Sequence, residues 1–283
     1  MGKDIGTGKI SNATIPNPDC PARLRQRLRE TMMKTALTLS RSAFDALIFD
    51  LDGVITRSAS VHAQAWKAMF DAFLQQWTAT RGMPFQPFDI DSDYRLYVDG
   101  KPRHDGVRSF IAARGIDLPE GHPDDPPDTD SVMGLGKRKD RLFLKTLAEQ
   151  GVERFDSSIQ LIEQGRGLGF KTAVVTASRN CAATLRAAGL TGLFDAAVDG
   201  NVAGQLHLQG KPAPDTFLEA VRRLGIRPAR AAGFEDAIAG VQAIRAAGYG
   251  CVIGVDRHGQ PETLKAAGAD RVVADLAEVF LIP

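Results

Sequence analysis

From about residue 155 to residue 273, stretches whose apolar residues recur at helical spacing alternate with short apolar runs of strand length. The pattern predicts helices over 158–168, 181–189, 214–224, 237–247 and 261–267, and strands over 171–176, 195–199, 230–234, 250–255 and 271–273. Parallel strands need a long crossover between them, and a helix supplies it. Such alternation therefore confines this part of the chain to the α/β class, as a Rossmann-like parallel sheet with helices on both faces. One more strand, Phe44 to Phe49, lies far upstream. Between it and the rest, the apolar spacing is helical over Val61 to Trp77, Asp105 to Arg114 and Lys139 to Gln150, while Leu118 to Asp130 is dense in Pro, Asp and Gly and reads as loop. The expected organisation is an N-terminal extension (1–43), a core made of 44–58 and 153–283, and a helical cap inserted at 59–152.

The chemistry gathers at the ends of these strands. Asp50 and Asp52 close the first one, and the period of two along a strand turns both side chains the same way, at the carboxyl edge where parallel sheets hold ligands. Two like charges so close are costly unless a cation or a shared proton compensates. The next strand ends in Thr176-Ala177-Ser178-Arg179-Asn180, which offers hydroxyl and N–H donors to an anion. Lys211 follows, in Gly210-Lys211-Pro212-Ala213-Pro214, a compact cation on a proline-stiffened turn. The strand over 230–234 then leads into a second acidic pair, Glu235-Asp236, ahead of a helical pattern. Taken singly, each segment also fits a plainer role: solvated acidic turn, helix cap, loop lysine, or favourable charge at a helix N-terminus. Their common placement on strand ends, in this order, makes coincidence a poor account.

Composition narrows the class further. A chain of 283 residues with 43% hydrophobic and 24% charged residues suits a core plus a smaller domain, and a formal net charge of +1 gives no reason to expect nucleic acid as a partner. No apolar run approaches the roughly 20 residues that span a bilayer, so no membrane partner is expected. Cys20, Cys181 and Cys251 are odd in number and widely spaced, which fits a reducing cytoplasm. The expected assembly is a monomer or weak homo-oligomer. Within the extension, a short helix over 21–34 carries Arg23, Arg25, Arg27 and Arg29 on both sides and leaves only a narrow apolar stripe.

The ordered motifs around Asp50-Leu51-Asp52-Gly53, Thr176, Lys211 and Glu235-Asp236 resemble those of the haloacid dehalogenase (HAD) superfamily of phosphotransferases, and within it the β-phosphoglucomutase group, over residues of about 44–281. The resemblance implies Asp50 as nucleophile, forming an aspartyl phosphate, and Asp52 as general acid and base. It implies Mg²⁺ held by Asp50, the Asp52 main-chain carbonyl, Glu235 and Asp236; Glu235 equally suits a role as orienter of Lys211. Thr176, Ser178, Asn180 and Lys211 would hold the transferring phosphoryl group. In the cap, the resemblance assigns His62 and Trp66 to positioning the acid/base group, Arg103 of Gly100-Lys101-Pro102-Arg103 to the phosphate that is not transferred, and Lys139 of Gly136-Lys137-Arg138-Lys139 to the sugar phosphate. Arg57 stands where such proteins often carry Asp, and 79–135 is longer and richer in Pro and Asp than a minimal cap. The implied activity is interconversion of β-D-glucose 1-phosphate and glucose 6-phosphate through the 1,6-bisphosphate. The alternative is a sugar-phosphate phosphatase, which differs only in letting water take the phosphoryl group.

Overall fold

Strand β2 (Ala46–Asp50) is buried along its whole length, and five other strands assemble in parallel around it. The computed structural model describes residues 37–283 except Gly100 and His258, so the short helix expected at 21–34 lies outside the described residues. In chain order the elements are β1 (Leu37–Ser40), β2, α1 (Ala59–Ala79), a π-helical turn (Tyr94–Val98), α2 (Arg103–Ala113), α3 (Val132–Gln150) and α4 (Asp156–Gly167). There follow β3 (Lys171–Val175), α5 (Cys181–Ala187), β4 (Ala196–Val198), α6 (Gly200–Gln205), α7 (Asp215–Leu224), β5 (Ala231–Glu235), α8 (Ile238–Ala246), β6 (Cys251–Val255), α9 (Pro261–Ala266), β7 (Arg271–Val273) and β8 (Val279–Ile282). The sheet order is β4-β3-β2-β5-β6-β7, and β1 pairs with β8 in a small second sheet. No described helix is long and apolar enough to cross a membrane.

The central strands are apolar on both faces because both faces are covered. Phe49 stacks on Phe234 of β5 with ring centroids 4.5 Å apart, and Ile48 joins Ala173, Val175, Phe217 and Val241 in a cluster beneath α7 and α8. Pairing of Asp50 with Val175 and of Phe49 with Phe234 sets three strand ends side by side. Register is what aligns the chemistry.

The helices between β2 and β3 bury a cluster of their own, with Trp66, Met69, Phe70, Phe73, Phe88, Phe110 and Leu135 at its centre. The chain enters and leaves this insertion at one place: Thr56 bridges to Arg154, Arg57 N–H donates to Glu153 O at 2.8 Å, and Phe155 N–H donates to Ile55 O at 2.9 Å. Arg57, the unusual residue of the sequence, lies over the Phe155 ring at 4.1 Å, and Arg257 lies over it at 3.6 Å.

Three differences from the sequence pattern have local causes. Helix α3 begins at Val132, not Lys139, because Ser131 accepts a hydrogen bond from Gly134 N–H and caps it. Gly134 and Gly136 hid this start; a Cβ on them would sit 2.1 Å from Thr129 O and 2.5 Å from the His104 ring. The extension expected over 1–43 includes a strand, since β1 pairs with β8 near the chain's other end. Finally, the π-helical turn and α6 are too short to carry a period.

Phe49 is fully buried and its ring has aromatic neighbours on both sides, Phe234 and Phe194. Phe49→Ala should cost about 3–5 kcal/mol of stability. Urea unfolding followed by circular dichroism checks this, and a loss under about 1 kcal/mol would contradict the packing described.

Candidate active site

Asp50 ends β2, Glu235 ends β5, and Thr176 directly follows β3, so three adjacent strands deliver them to one edge. Lys211 reaches the same point from the loop between α6 and α7. Its ammonium pairs with Asp50 Oδ1 and, at 2.6 Å, with Glu235 Oε1. The other Glu235 oxygen accepts the Ala237 N–H at 2.8 Å, which engages both of its oxygens with the protein. Asp236 stands opposite Gly53, whose φ of +87° and absent side chain are both required: a Cβ there would lie 1.9 Å from Asp236 Oδ2. Gly240 likewise makes room for the Glu235 carboxylate.

Asp50, Glu235 and Asp236 offer carboxylate oxygens within 4.8 Å of one another. Burial pushes the Asp50 carboxyl well up, as do the charges of Glu235 and Asp52, against the opposing pull of Lys211. Burial, Glu235 and Asp50 push Asp236 up in the same way. Burial alone would lower Lys211, yet Asp50 and Glu235 outweigh it and raise its pKa. One ammonium is therefore too little positive charge for this acidic group. A hard divalent cation fits the donor set and would bring the carboxyls back to their ionised form.

Asp52 faces the inserted helices. One of its oxygens accepts from the Ser58 hydroxyl and lies 3.6 Å from His62 Nε2, and the other accepts from Thr176 Oγ1 at 3.2 Å. Burial pushes this carboxyl up, but the contacts with His62, Ser58 and Thr176 prevail and hold it down at about 2. His62 is itself pushed down by burial and by the Lys139 charge, although its contact with Asp52 works the other way. Its Nδ1 lies 2.7 Å from Lys139 Nζ; while Lys139 is charged it can only donate, which leaves the ring proton on Nε2, towards Asp52.

Lys139 is only 5% exposed, with its ammonium 5.1 Å from the Trp66 ring centroid and 4.8 Å from that of Phe143. Burial and the nearby Arg103 bring its pKa down to about 7. Arg103 meets Asp140 at 2.9 Å, and Asn180 Nδ2 donates to the same Asp140 oxygen at 2.6 Å. The structure thus gathers the sequence-derived residues into two sets. Asp50, Lys211, Glu235 and Asp236 form the first, joined through Asp52 and Thr176 to the second: His62, Lys139, Arg103 and Asn180. Ser178 lies between Thr176 and Asn180; its N–H donates to Thr176 Oγ1 and its hydroxyl accepts the Asn180 N–H. Trp66 is a wall, 4% exposed, which backs Lys139 and does not line open space.

Sequence reasoning missed four contributors. Ser58 was legible as the polar residue before a helical pattern, but its hydroxyl serves Asp52 and not the helix end. Phe143 sits one turn after Lys139 and stacks on the His62 ring at 4.1 Å. Arg257 holds Gly53 O at 2.7 Å from a distant loop. Asp140 stood among basic residues with no local signal.

A parallel sheet bearing an acidic cluster, a buried lysine and hydroxyl donors at its carboxyl edge, under an inserted helical layer, is the arrangement of an α/β enzyme. Residues 44–248 match the haloacid dehalogenase-like hydrolase family. The chain belongs to that family. It is 47% identical to proteins named beta-phosphoglucomutase from Mycobacterium bovis and Mycobacterium tuberculosis, over 83% of this chain and 91% of each relative. Among solved structures, its fold matches the beta-phosphoglucomutase from Clostridium difficile (TM-score 0.66, 24% identity, 83% of this chain and 92% of that one). It also matches CbbY from Rhodobacter sphaeroides crystallised with xylulose-(1,5)bisphosphate (TM-score 0.65, 23% identity, 84% and 97%).

Because its pKa is brought down to about 7, Lys139 should lose its charge as the pH rises through neutrality, far below an ordinary lysine. Side-chain NMR of labelled lysines should show one resonance titrating near neutral pH, absent in Lys139→Met. Titration of every lysine at about 10 or above would contradict the environment described.

Proposed function

We propose that the protein catalyses Mg²⁺-dependent phosphoryl transfer through an aspartyl phosphate on Asp50, and that it interconverts β-D-glucose 1-phosphate and glucose 6-phosphate through the 1,6-bisphosphate. The observation that carries this reading is the two-ended site. A nucleophile cluster stands at one end, and the inserted helices supply Arg103 and Lys139 at the other; Asn180, expected with the transferring phosphoryl group, instead meets Asp140 beside Arg103. A bisphosphate needs a cation at each end, whereas release of a single phosphate needs only the sheet-borne cluster. The 47% identity to mycobacterial proteins named beta-phosphoglucomutase supports the same activity.

In this mechanism the Asp50 carboxylate attacks phosphorus, and the bond from phosphorus to the sugar oxygen breaks. Lys211 offsets charge on both Asp50 and Glu235 and keeps the nucleophile oriented. Asp52 protonates the departing oxygen, then takes the proton of the sugar hydroxyl that attacks the aspartyl phosphate. Held at about 2 by Ser58, Thr176 and His62, Asp52 rests as the base; to act as the acid it must take up a proton and loosen those contacts. Asp50, Asp236, Glu235 and the Asp52 main-chain carbonyl would hold Mg²⁺, which supplies positive charge against the approach of a phosphate dianion to a carboxylate. The helical layer over 59–152 acts as a cap, and its closure would exclude water. Cys181 and Cys251, both buried free thiols, suit a cytoplasmic enzyme.

The second reading, a sugar-phosphate phosphatase, is favoured by the family's hydrolase description. The two separate in one assay: β-glucose 1-phosphate with a trace of the 1,6-bisphosphate, following glucose 6-phosphate and free phosphate together. Glucose 6-phosphate should accumulate, Arg103→Ala should abolish most of that flux while sparing slow phosphate release, and Asp50→Asn should silence both. Free phosphate appearing as fast as substrate disappears, with no glucose 6-phosphate, would establish the hydrolase. For the metal, excess EDTA should stop turnover, Mg²⁺ should restore it, and Asp236→Ala should raise the Mg²⁺ requirement at least about tenfold. Full activity of a verified metal-free preparation would rule the mechanism out.

A further inference from the structure

Asp140 is an acidic residue in a basic setting. Arg103, at the start of α2, forms an ion pair with its Oδ1 at 2.9 Å, and Asn180, just before α5, donates to the same oxygen at 2.6 Å. Lys139 precedes it on α3, and the Arg179 guanidinium is near enough for its charge to act on both Arg103 and His104. The His104 Nε2 is buried here without a hydrogen-bond partner. Among the described residues, Asp140 is the carboxylate that pairs with Arg103. A guanidinium and an amide N–H converging on one anionic oxygen is also what a phosphate oxygen would receive.

We propose that Asp140 is a specificity-determining residue: its carboxylate occupies the anion position between Arg103 and Asn180, and a substrate must carry a second anionic group to displace it. The idea rests on the two-ended reading above. Two consequences follow from the charges. With Asp140 in place, both ligands are held in position and the basic cluster is partly neutralised, so small stray anions gain little by entering. A phosphate dianion, with more charge than one carboxylate and more acceptors, competes successfully. Asp140 also lies next to Lys139, so exchange at Arg103 acts on the α3 turn that carries the His62 partner.

The test compares Asp140→Asn, which keeps the shape and one acceptor but removes the charge, with Asp140→Glu, which keeps the charge. Binding of glucose 1,6-bisphosphate is measured by calorimetry on an Asp50→Asn background that cannot turn it over. Hydrolysis of acetyl phosphate, which has no second anionic end, is measured with Asp50 intact. Asp140→Asn should tighten bisphosphate binding at least about tenfold by removing a like charge, change acetyl phosphate turnover by far less than that factor, and be reversed towards wild type by Asp140→Glu. Unchanged or weaker bisphosphate binding with normal acetyl phosphate turnover overturns the proposal. Loss of acetyl phosphate turnover with a lowered melting temperature also overturns it, in favour of a structural role. If no form binds the bisphosphate although acetyl phosphate is consumed, the two-ended reading falls and the proposal with it. Tightening in a protein that yields only free phosphate from sugar phosphate supports Asp140 and refutes the mutase reading alone.

Discussion

The contact on which the molecule turns is the one between Lys211 and the two carboxylates at the ends of β2 and β5. Three acidic groups meet here, Asp50 and Glu235 buried and Asp236 partly so, and an unpaired charge in such a place is costly. The sheet places them there regardless, because parallel pairing of β2 with β5 and β3 leaves their ends no other position. Lys211 arrives from a loop about 160 residues away in sequence to make the arrangement tolerable. The remaining imbalance is what a bound cation would offset under the proposed function.

A second layer of the design lies in how the helical insertion meets this cluster. Asp52 is the shared member: its backbone belongs to the sheet side and its carboxylate to Ser58, His62 and Thr176. The path then runs through Lys139 to the aromatic rings of Trp66 and Phe143. Asp50 and Asp52 are two residues apart in sequence, yet the first answers to Lys211 and the second chiefly to Ser58 and His62 of the insertion. Their opposite protonation tendencies follow from this division: Asp50 is driven up by burial among carboxylates, and Asp52 is held down by donors.

Much of this was legible from residues alone, and the reasons for the rest are physical. The five strands and five helices expected between residues 155 and 273 are found to within a residue or two, whereas α6, none of whose residues is buried, and β8 went unseen. The residues at the strand ends announced themselves by chemistry that an ordinary turn does not need. Asp140 did not, since its partners Arg103 and Asn180 are 37 and 40 residues away in sequence and only the folded chain joins them. The start of α3 was hidden by Gly134 and Gly136, whose small size serves neighbouring segments and masks a helix in any propensity scale. Glu235 was open between two roles; the folded chain gives it contacts with Lys211 and the Ala237 N–H and also sets it beside Asp50 and Asp236, so both roles stay within its reach.

The paired crossing at Thr56 and Arg154 has a consequence for how such a chain changes over time. Entry and exit of the insertion are neighbouring backbone segments, bonded to each other at Arg57 and Phe155, so the sheet sees only a closed doorway. Residues can be gained or lost between those two points without moving a single strand out of register. The long Pro- and Asp-rich stretch over 79–135 is the kind of growth this doorway permits. Sheet and insertion are thereby exposed to mutation separately: the one tolerates little, and the other is a loop of chain whose length the sheet does not register.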